Sequence, residues 1–263
     1  EGMSSYEFSD AGDKQIRRSY IKVEAQLTPD TSYEYRIGDA YLDAYTEPVT
    51  IKAVNPTESG KWSFAHVSDS QTLGADDAGS NSGYAFANTL KGISKDETNR
   101  FIVHTGDVVE WSRYESYWTN MLDYNFGALS VMPVMSISGN HETTYRNGTS
   151  ETYKHFNYKY PAQTVKNGLY YSFVYGGVKF VMINTNELNS FGALRDHQYN
   201  WIVDELKNNT EKWLVVGMHN PMYSVGKWGS DESRNLIAER LTAQLGDAFA
   251  KYGVDLVLQG HDH

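Results

Sequence analysis

Cysteine is absent from all 263 residues, which removes disulfides and thiolate metal sites and leaves the redox compartment open. No apolar stretch approaches the roughly 20 residues that span a bilayer. No signal peptide is visible either, and Glu1 is not a natural start, so a processed or excised piece of a longer chain is expected. Basic charge is scarce. Lys and Arg number 23 against 33 Asp and Glu, a formal net charge of −10. That balance argues against a nucleic-acid polymer as the main partner, because such binding needs clustered cations. Three catalytic signatures are also missing. There is no glycine loop closing on Lys-Ser or Lys-Thr, and no Gly-x-Ser-x-Gly elbow. The run His141-Glu142-Thr143-Thr144-Tyr145 starts like a zinc-protease motif but has Tyr145 where the second His must stand.

What the chain does hold is a 40% hydrophobic, 14% aromatic composition, enough for one large domain or one large and one small. Five short apolar runs each give way to small and polar residues. Phe64-Ala65-His66-Val67 leads to Ser68-Asp69-Ser70-Gln71, and Phe101-Ile102-Val103 leads to Gly106-Asp107. The run from Val131 to Ile137 leads to Gly139-Asn140-His141-Glu142. Leu214-Val215-Val216 leads to Gly217-Met218-His219-Asn220-Pro221, and Val254 to Leu258 leads to Gly260-His261-Asp262-His263. Such runs read as buried strands, and five strands ending in Asp, Asn or His place those side chains on one sheet edge. Sites in α/β proteins are usually built on that edge.

In this order the fragments resemble the calcineurin-like metallophosphoesterases, and more closely the purple acid phosphatases and their bacterial relatives, from about Trp62 onward. The resemblance implies an α/β fold of two packed mixed β-sheets flanked by helices. It implies a metal-dependent hydrolase of phosphate esters carrying two divalent or trivalent transition-metal ions, manganese, iron or zinc. Asp107 would bridge the metals, since its two oxygens can each face one. Asp69 and His263 would hold one metal, and Asn140, His219 and His261 the other. A hydroxide bridging the two metals would attack phosphorus in line, and His141, beside the substrate rather than on a metal, would protonate the leaving oxygen. A small phosphate ester is the expected partner, with the cations offsetting the acidity of the chain. The same metal core also suits a phosphodiesterase or nucleotidase, and a catalytically silent surface binding module is the non-enzymatic alternative.

Two departures stand out. Many relatives have His two residues after the first Asp, where this chain has Gln71. Purple acid phosphatases have a Tyr three residues after the Gly-Asp aspartate, where this chain has Glu110, so no purple colour is expected. Gln71 and Glu110 are therefore candidate substitute ligands, and the first metal site is expected to be the weaker.

Residues 1–61 read differently, with alternating strand-like runs at Ser19 to Glu24 and Tyr33 to Ile37 and turn signals between them. They resemble the later strands of a fibronectin type III-like domain, which precedes the catalytic domain in purple acid phosphatases. The expected division is residues 1–61 for the end of that β-domain and 62–263 for the metallophosphoesterase domain, truncated at its C-terminus. Relatives with that domain are usually exported, which implies a secreted or cell-surface location. Helices are expected over Tyr84–Leu90, Tyr114–Phe126, Gln198–Leu206 and Glu232–Tyr252, and a hairpin over Leu169–Ile183 turning at Gly176-Gly177. Residues 74–83 read as a small-residue loop. His66 and His104 read as hydrogen-bonded core histidines, and His155 and His197 as surface residues. Trp111, Tyr145, Tyr223 and Trp228 are candidate pocket walls, with ordinary packing as the alternative. Arg146 and Arg195 are candidate phosphate clamps, with a solvated surface favoured.

Overall fold

The computed structural model describes residues 2–9, 15–23, 25–74, 82–143, 155–156, 158, 170–230 and 236–263. The N-terminal part forms three antiparallel pairs. β1 (Gly2–Ser9) pairs with β2 (Gln15–Lys22), β3 (Ser32–Tyr35) with β6 (Val49–Lys52), and β4 (Gly38–Asp39) with β5 (Ala44–Tyr45). Hydrogen bonds tie this part to the rest, among them the Gly176 amide to the Pro56 carbonyl at 2.9 Å and the Tyr175 hydroxyl to Glu58 at 2.6 Å. The Tyr35 hydroxyl donates to the Ser130 carbonyl, and Arg100 donates Nε and Nη2 to the two Glu58 carboxylate oxygens, each at 2.7 Å.

Beyond Trp62 two sheets face one another. The first holds β7 (Ser63–Val67), β8 (Asn99–His104) and β9 (Val134–Ser136), all parallel. The second has the order β10 (Tyr171–Tyr175), β11 (Val178–Ile183), β12 (Trp213–Met218) and β13 (Leu256–Leu258), antiparallel only at its first pair. Among the described residues the second sheet is mixed, as expected, and the first is parallel throughout. The reason lies in the crossovers. A parallel pair needs a long connection, and α1 (Ser82–Ile93) and α2 (Glu115–Leu129) supply it on either side of β8. The tight turn between β10 and β11 permits the antiparallel pair, because Gly176 and Gly177 take φ of 53° and 77°. Pro133 helps to shorten the expected strand 131–137 to β9. It has no amide hydrogen for a ladder, and the amides of Val131 and Met132 still bond back to the end of α2.

Alternation along the strands makes the layers. Phe101 and Val103 of β8 meet Phe180 and Met182 of β11 in a core between the sheets. Ile102 faces the other way, onto Leu90 of α1 and Ala128 near the end of α2. Val181 and Ile183 face α4 (Asp196–Lys207) and α6 (Leu236–Tyr252) through Ile202, Leu206, Leu241 and Leu245. The result is helix, sheet, sheet, helix, as expected for this fold class. The four expected helices are found, although residues 232–235 of the last, Leu169 of the hairpin and most of the 74–83 loop lie outside the described residues.

His104 is buried as expected. His66 is exposed on edge strand β7 and bonds to the Thr105 hydroxyl, so it is not a core residue. His155 corrects its expectation the other way. Its side chain is buried, stacked on Trp118 at 4.2 Å and bonded to Glu115 at 3.1 Å. His197 is exposed, as expected.

Candidate metal centre

The carboxyl ends of β7, β8, β9, β12 and β13 gather their loops at one edge of the sandwich. Four non-glycine residues there take left-handed backbone: Asp69 (φ 52°), Gln71 (38°), Asp107 (54°) and His261 (72°). Each such residue costs on the order of 1 kcal/mol and persists only where neighbours hold it. The holding bonds are visible. The amides of Asp69 and Gln71 donate to the carbonyls of Gly106 and Asp107 at 3.0 and 2.9 Å. The His261 amide donates to Asp69 Oδ2 at 2.9 Å. Gly106 is required by close approach, since a Cβ there would lie 2.6 Å from the Gly139 amide nitrogen and 2.8 Å from His219 Nδ1.

Glu142, in the short helix α3 (Asn140–Thr143), clasps two of these loops. Its fully buried carboxylate accepts from the amides of Asp107 and Gly139 at 2.8 Å, Val108 at 2.9 Å and Val109 at 3.3 Å. Burial and the nearby Asp107 charge push its pKa up, while the amides of Gly139 and Val109 pull it down. Sequence reasoning had Glu142 only as a motif letter. Its donors lie more than thirty residues away for three of the four bonds, so no local pattern could have assigned its role.

Asp107, His219 and His261 each bring a ligand atom within 4.8 Å of the others, and all three are buried. His219 Nδ1 donates to the Thr105 carbonyl at 2.8 Å, which leaves Nε2 as an acceptor in the neutral ring. That lone pair faces Asn140 Oδ1 at 3.1 Å and Asp107 Oδ2 at 3.3 Å. Three acceptors that converge without a donor require either an extra proton or a cation. Burial opposes charge on His219, but the Asp107 carboxylate outweighs it and raises its pKa; a bound cation would take that proton's place. His261 differs. Burial, with His219 close by, pulls it down to about 4, so its ring is neutral at pH 7 and fit to ligate.

Asp69 and His263 stand beside this group. Asp69 Oδ1 is buried and accepts no hydrogen bond, and lies 3.4 Å from His263 Nε2. An orphaned carboxylate oxygen and an imidazole nitrogen are a donor pair suited to a second cation, so the residues present fit the metals that the resemblance implies. Glu110 and Gln71, the candidate substitute ligands, both meet His141. The Glu110 carbonyl accepts from His141 Nδ1 at 2.8 Å and its carboxylate lies 3.6 Å from the same nitrogen. Gln71 Nε2 lies 3.0 Å from His141 Nε2. His141 in turn donates its backbone amide to Asp107 Oδ1 at 2.9 Å, and its Nε2 is 3.8 Å from Asp107 Oδ2. Burial works against charge on His141, yet Asp107, with Glu110 and Glu142 behind it, raises its pKa.

Gln71, Asp107, Asn140, His141, His261 and His263 line a cavity of about 290 Å³ whose walls also include Trp228, Lys227 and Asp262. Trp228 lies over His261 at 4.3 Å. Of the other candidate walls, Trp111 packs with Val108 and Trp118, Tyr223 is exposed in a neighbouring groove, and Tyr145 lies outside the described residues, as does Arg146. Arg195 is exposed at the start of α4. Lys227, which the sequence reading overlooked, is the cation that lines the cavity among the described residues. It reaches the site through α5 (Lys227–Ser230), a turn with no signature of its own.

Against known proteins, the model of the calcineurin-like phosphoesterase family matches residues 63–263. The chain belongs to the calcineurin-like phosphoesterases. Within that family it is similar to purple acid phosphatase 23 of Arabidopsis thaliana, 26% identical over 262 residues, covering 90% of this chain and 55% of that one. It is 28% identical over 175 residues to Fe(3+)-Zn(2+) purple acid phosphatase 12 of the same plant, covering 62% of this chain and 36% of that one. The solved purple acid phosphatase PPD1 from yellow lupin (Lupinus luteus) seeds superposes with a TM-score of 0.72 at 22% identity, over 99% of this chain and 50% of that one. The chain spans about half the length of the curated relatives it matches over most of its own length. Among the described residues no helix is long and apolar enough to cross a membrane.

Proposed function

We propose that this phosphoesterase hydrolyses small phosphate monoesters with two transition-metal ions and His141 as general acid. One observation carries the reading: His219 Nε2, Asn140 Oδ1 and Asp107 Oδ2 converge as acceptors without a donor, within reach of a histidine bound to Asp107 by its backbone. Asn140, His219 and His261 would hold one ion, Asp69 and His263 the other, and Asp107 both. The Fe(3+)-Zn(2+) name of one relative supports transition metals as the class. Bound there, such ions supply Lewis acidity toward phosphoryl oxygens and a water of lowered pKa.

The chain's own residues do the rest. Asp107, pinned by Glu142 through its amide, presents its carboxylate at the junction of the two donor sets. His141 keeps its Nδ1 proton on the Glu110 carbonyl, so Nε2 is the atom that gives a proton to the leaving oxygen as the phosphorus–oxygen bond breaks. Lys227 adds positive charge to the wall where a phosphate dianion enters. Trp228 shields the buried imidazole of His261 from water. In the same reading, residues 1–61 are the end of a fibronectin III-like domain; limited proteolysis that fails to cut near residue 61 would count against that division.

The test pairs elemental analysis with assays on p-nitrophenyl phosphate and bis-p-nitrophenyl phosphate, with manganese or zinc added. Close to two transition metals per chain and metal-dependent turnover of the monoester are expected. Faster turnover of the diester would move the assignment to phosphodiesterases. One metal or none, with no turnover after metal is added back, would leave a binding module.

A further inference from the structure

Gln71 stands where many relatives have His, and its carboxamide meets the proposed general acid. The contact is built from both sides on one frame. The Gln71 amide donates to the Asp107 carbonyl at 2.9 Å, the Thr72 amide to Val108 at 3.1 Å, and the Glu110 amide back to Thr72 at 3.1 Å. His141 grips the same 107–110 loop by its backbone amide on Asp107 Oδ1 and by Nδ1 on the Glu110 carbonyl. Both side chains therefore hang from one loop, and the loop sets the 3.0 Å between Gln71 Nε2 and His141 Nε2. Their chemistry matches. With Nδ1 committed as a donor, a neutral His141 accepts at Nε2 from the carboxamide NH2. The protonated ring that acts as the acid donates its Nε2–H to the carboxamide oxygen once the amide turns over. Gln71 is also held in left-handed backbone at φ 38°, a conformation uncommon for a residue other than glycine. Both residues line the same cavity.

We infer that Gln71 is a positioning residue for the proton donor: its carboxamide holds the His141 ring with Nε2 aimed into the cavity and is displaced by the leaving oxygen of the ester. The inference rests on the hydrolase reading above and assigns Gln71 to His141 rather than to a metal. A ring fixed only at Nδ1 can swing, and the proton it carries then misses the departing oxygen. The loss falls on esters whose alcohol is a poor leaving group, because p-nitrophenolate departs with little help.

Two variants test this. Gln71→Ala removes the carboxamide, and Gln71→Met keeps the volume without the donor. Both are expected to retain the wild-type metal content and melting temperature. Turnover of phenyl phosphate falls by about 30- to 100-fold while that of p-nitrophenyl phosphate falls by less than about threefold. In the metal-free protein, the 15N resonance of His141 Nε2 moves toward that of a water-exposed acceptor in both variants. Loss of a metal would make Gln71 a ligand and overturn the inference. So would equal losses on both esters, unchanged turnover in Gln71→Met, or an unmoved Nε2 resonance. If the wild-type protein has no turnover at all, the hydrolase reading fails by itself. The resonance still reports whether Gln71 holds the ring.

Discussion

His219 and His263 belong to opposite halves of the proposed metal centre and are held very differently. The His219 side chain is fully buried, with Nδ1 on the Thr105 carbonyl and Nε2 facing Asn140 and Asp107. The His263 side chain is 57% exposed and meets Asp69 at 3.4 Å. The half built on Asn140, His219 and His261 is thus oriented before any ion arrives. In the half built on Asp69 and His263, Asp69 is held through its backbone amide and by the His261 amide on Oδ2, while His263 makes the looser contact. Pre-oriented donors lose little freedom on binding, so the difference teaches that residues of similar type at one sheet edge can be held to very different degrees. The reading proposed above then expects two cation sites of unequal affinity.

The largest effect that would break the comparison belongs to the residue common to both halves. Asp107→Asn is expected to lower turnover on the order of 10³-fold or more and to reduce metal content in both halves, read by steady-state assay and elemental analysis. Retention of either metal at wild-type affinity would show that the halves are independent. Next is the clasp behind the ordered half. Glu142→Gln leaves one carbonyl oxygen for four amides and turns an NH2 toward the others, so unfolding in urea should show a loss of roughly 3 kcal/mol. A change under about 0.5 kcal/mol would mean that the loops hold themselves. The comparison itself is then sharpened by calorimetric titration of the metal-free protein. Two binding classes differing by about tenfold or more are expected, the weaker one abolished by His263→Ala. Two equal classes would sink the asymmetry.

The smallest effect lies far from the metals, where Glu58 grips Arg100 and accepts from the Tyr175 hydroxyl at 2.6 Å. The Arg100 guanidinium, helped by Tyr175, holds the Glu58 pKa down to about 2, against 4.5 for a free glutamate. A depressed carboxylate pKa contributes stability that is complete above the unfolded value and is lost as pH falls through the folded one. Glu58→Gln should therefore cost about 1 kcal/mol at pH 7. Below pH 4.5 the gap to wild type should close as pH approaches 2, as followed by urea midpoints. A gap independent of pH would assign the loss to packing.

Much of this was legible in the chain. Asp69, Asp107, Asn140, His219, His261 and His263 each follow an apolar run, and burial of such runs in a sheet dictates where the next polar residue emerges. The hairpin at Gly176-Gly177 and the four helices were legible for the same reason, since turn chemistry and periodicity are local. What misled was environment. His155 sits in a polar stretch of sequence, yet Trp118 and Glu115 bury it. His66 sits in an apolar one, yet strand order leaves β7 at an edge.

By itself the sequence determined the layered α/β class, the strand-end residues and the family, because period and motif order are properties of neighbours along the chain. Tertiary structure alone decided where Glu142, Lys227 and Gln71 come to lie and what they touch. It brought the amides of Asp107 and Val108 to a carboxylate more than thirty positions away, and Gln71 to a histidine seventy positions away. Hydrogen bonds depend on distance in space, and that distance exists only once the two sheets have closed on their common core.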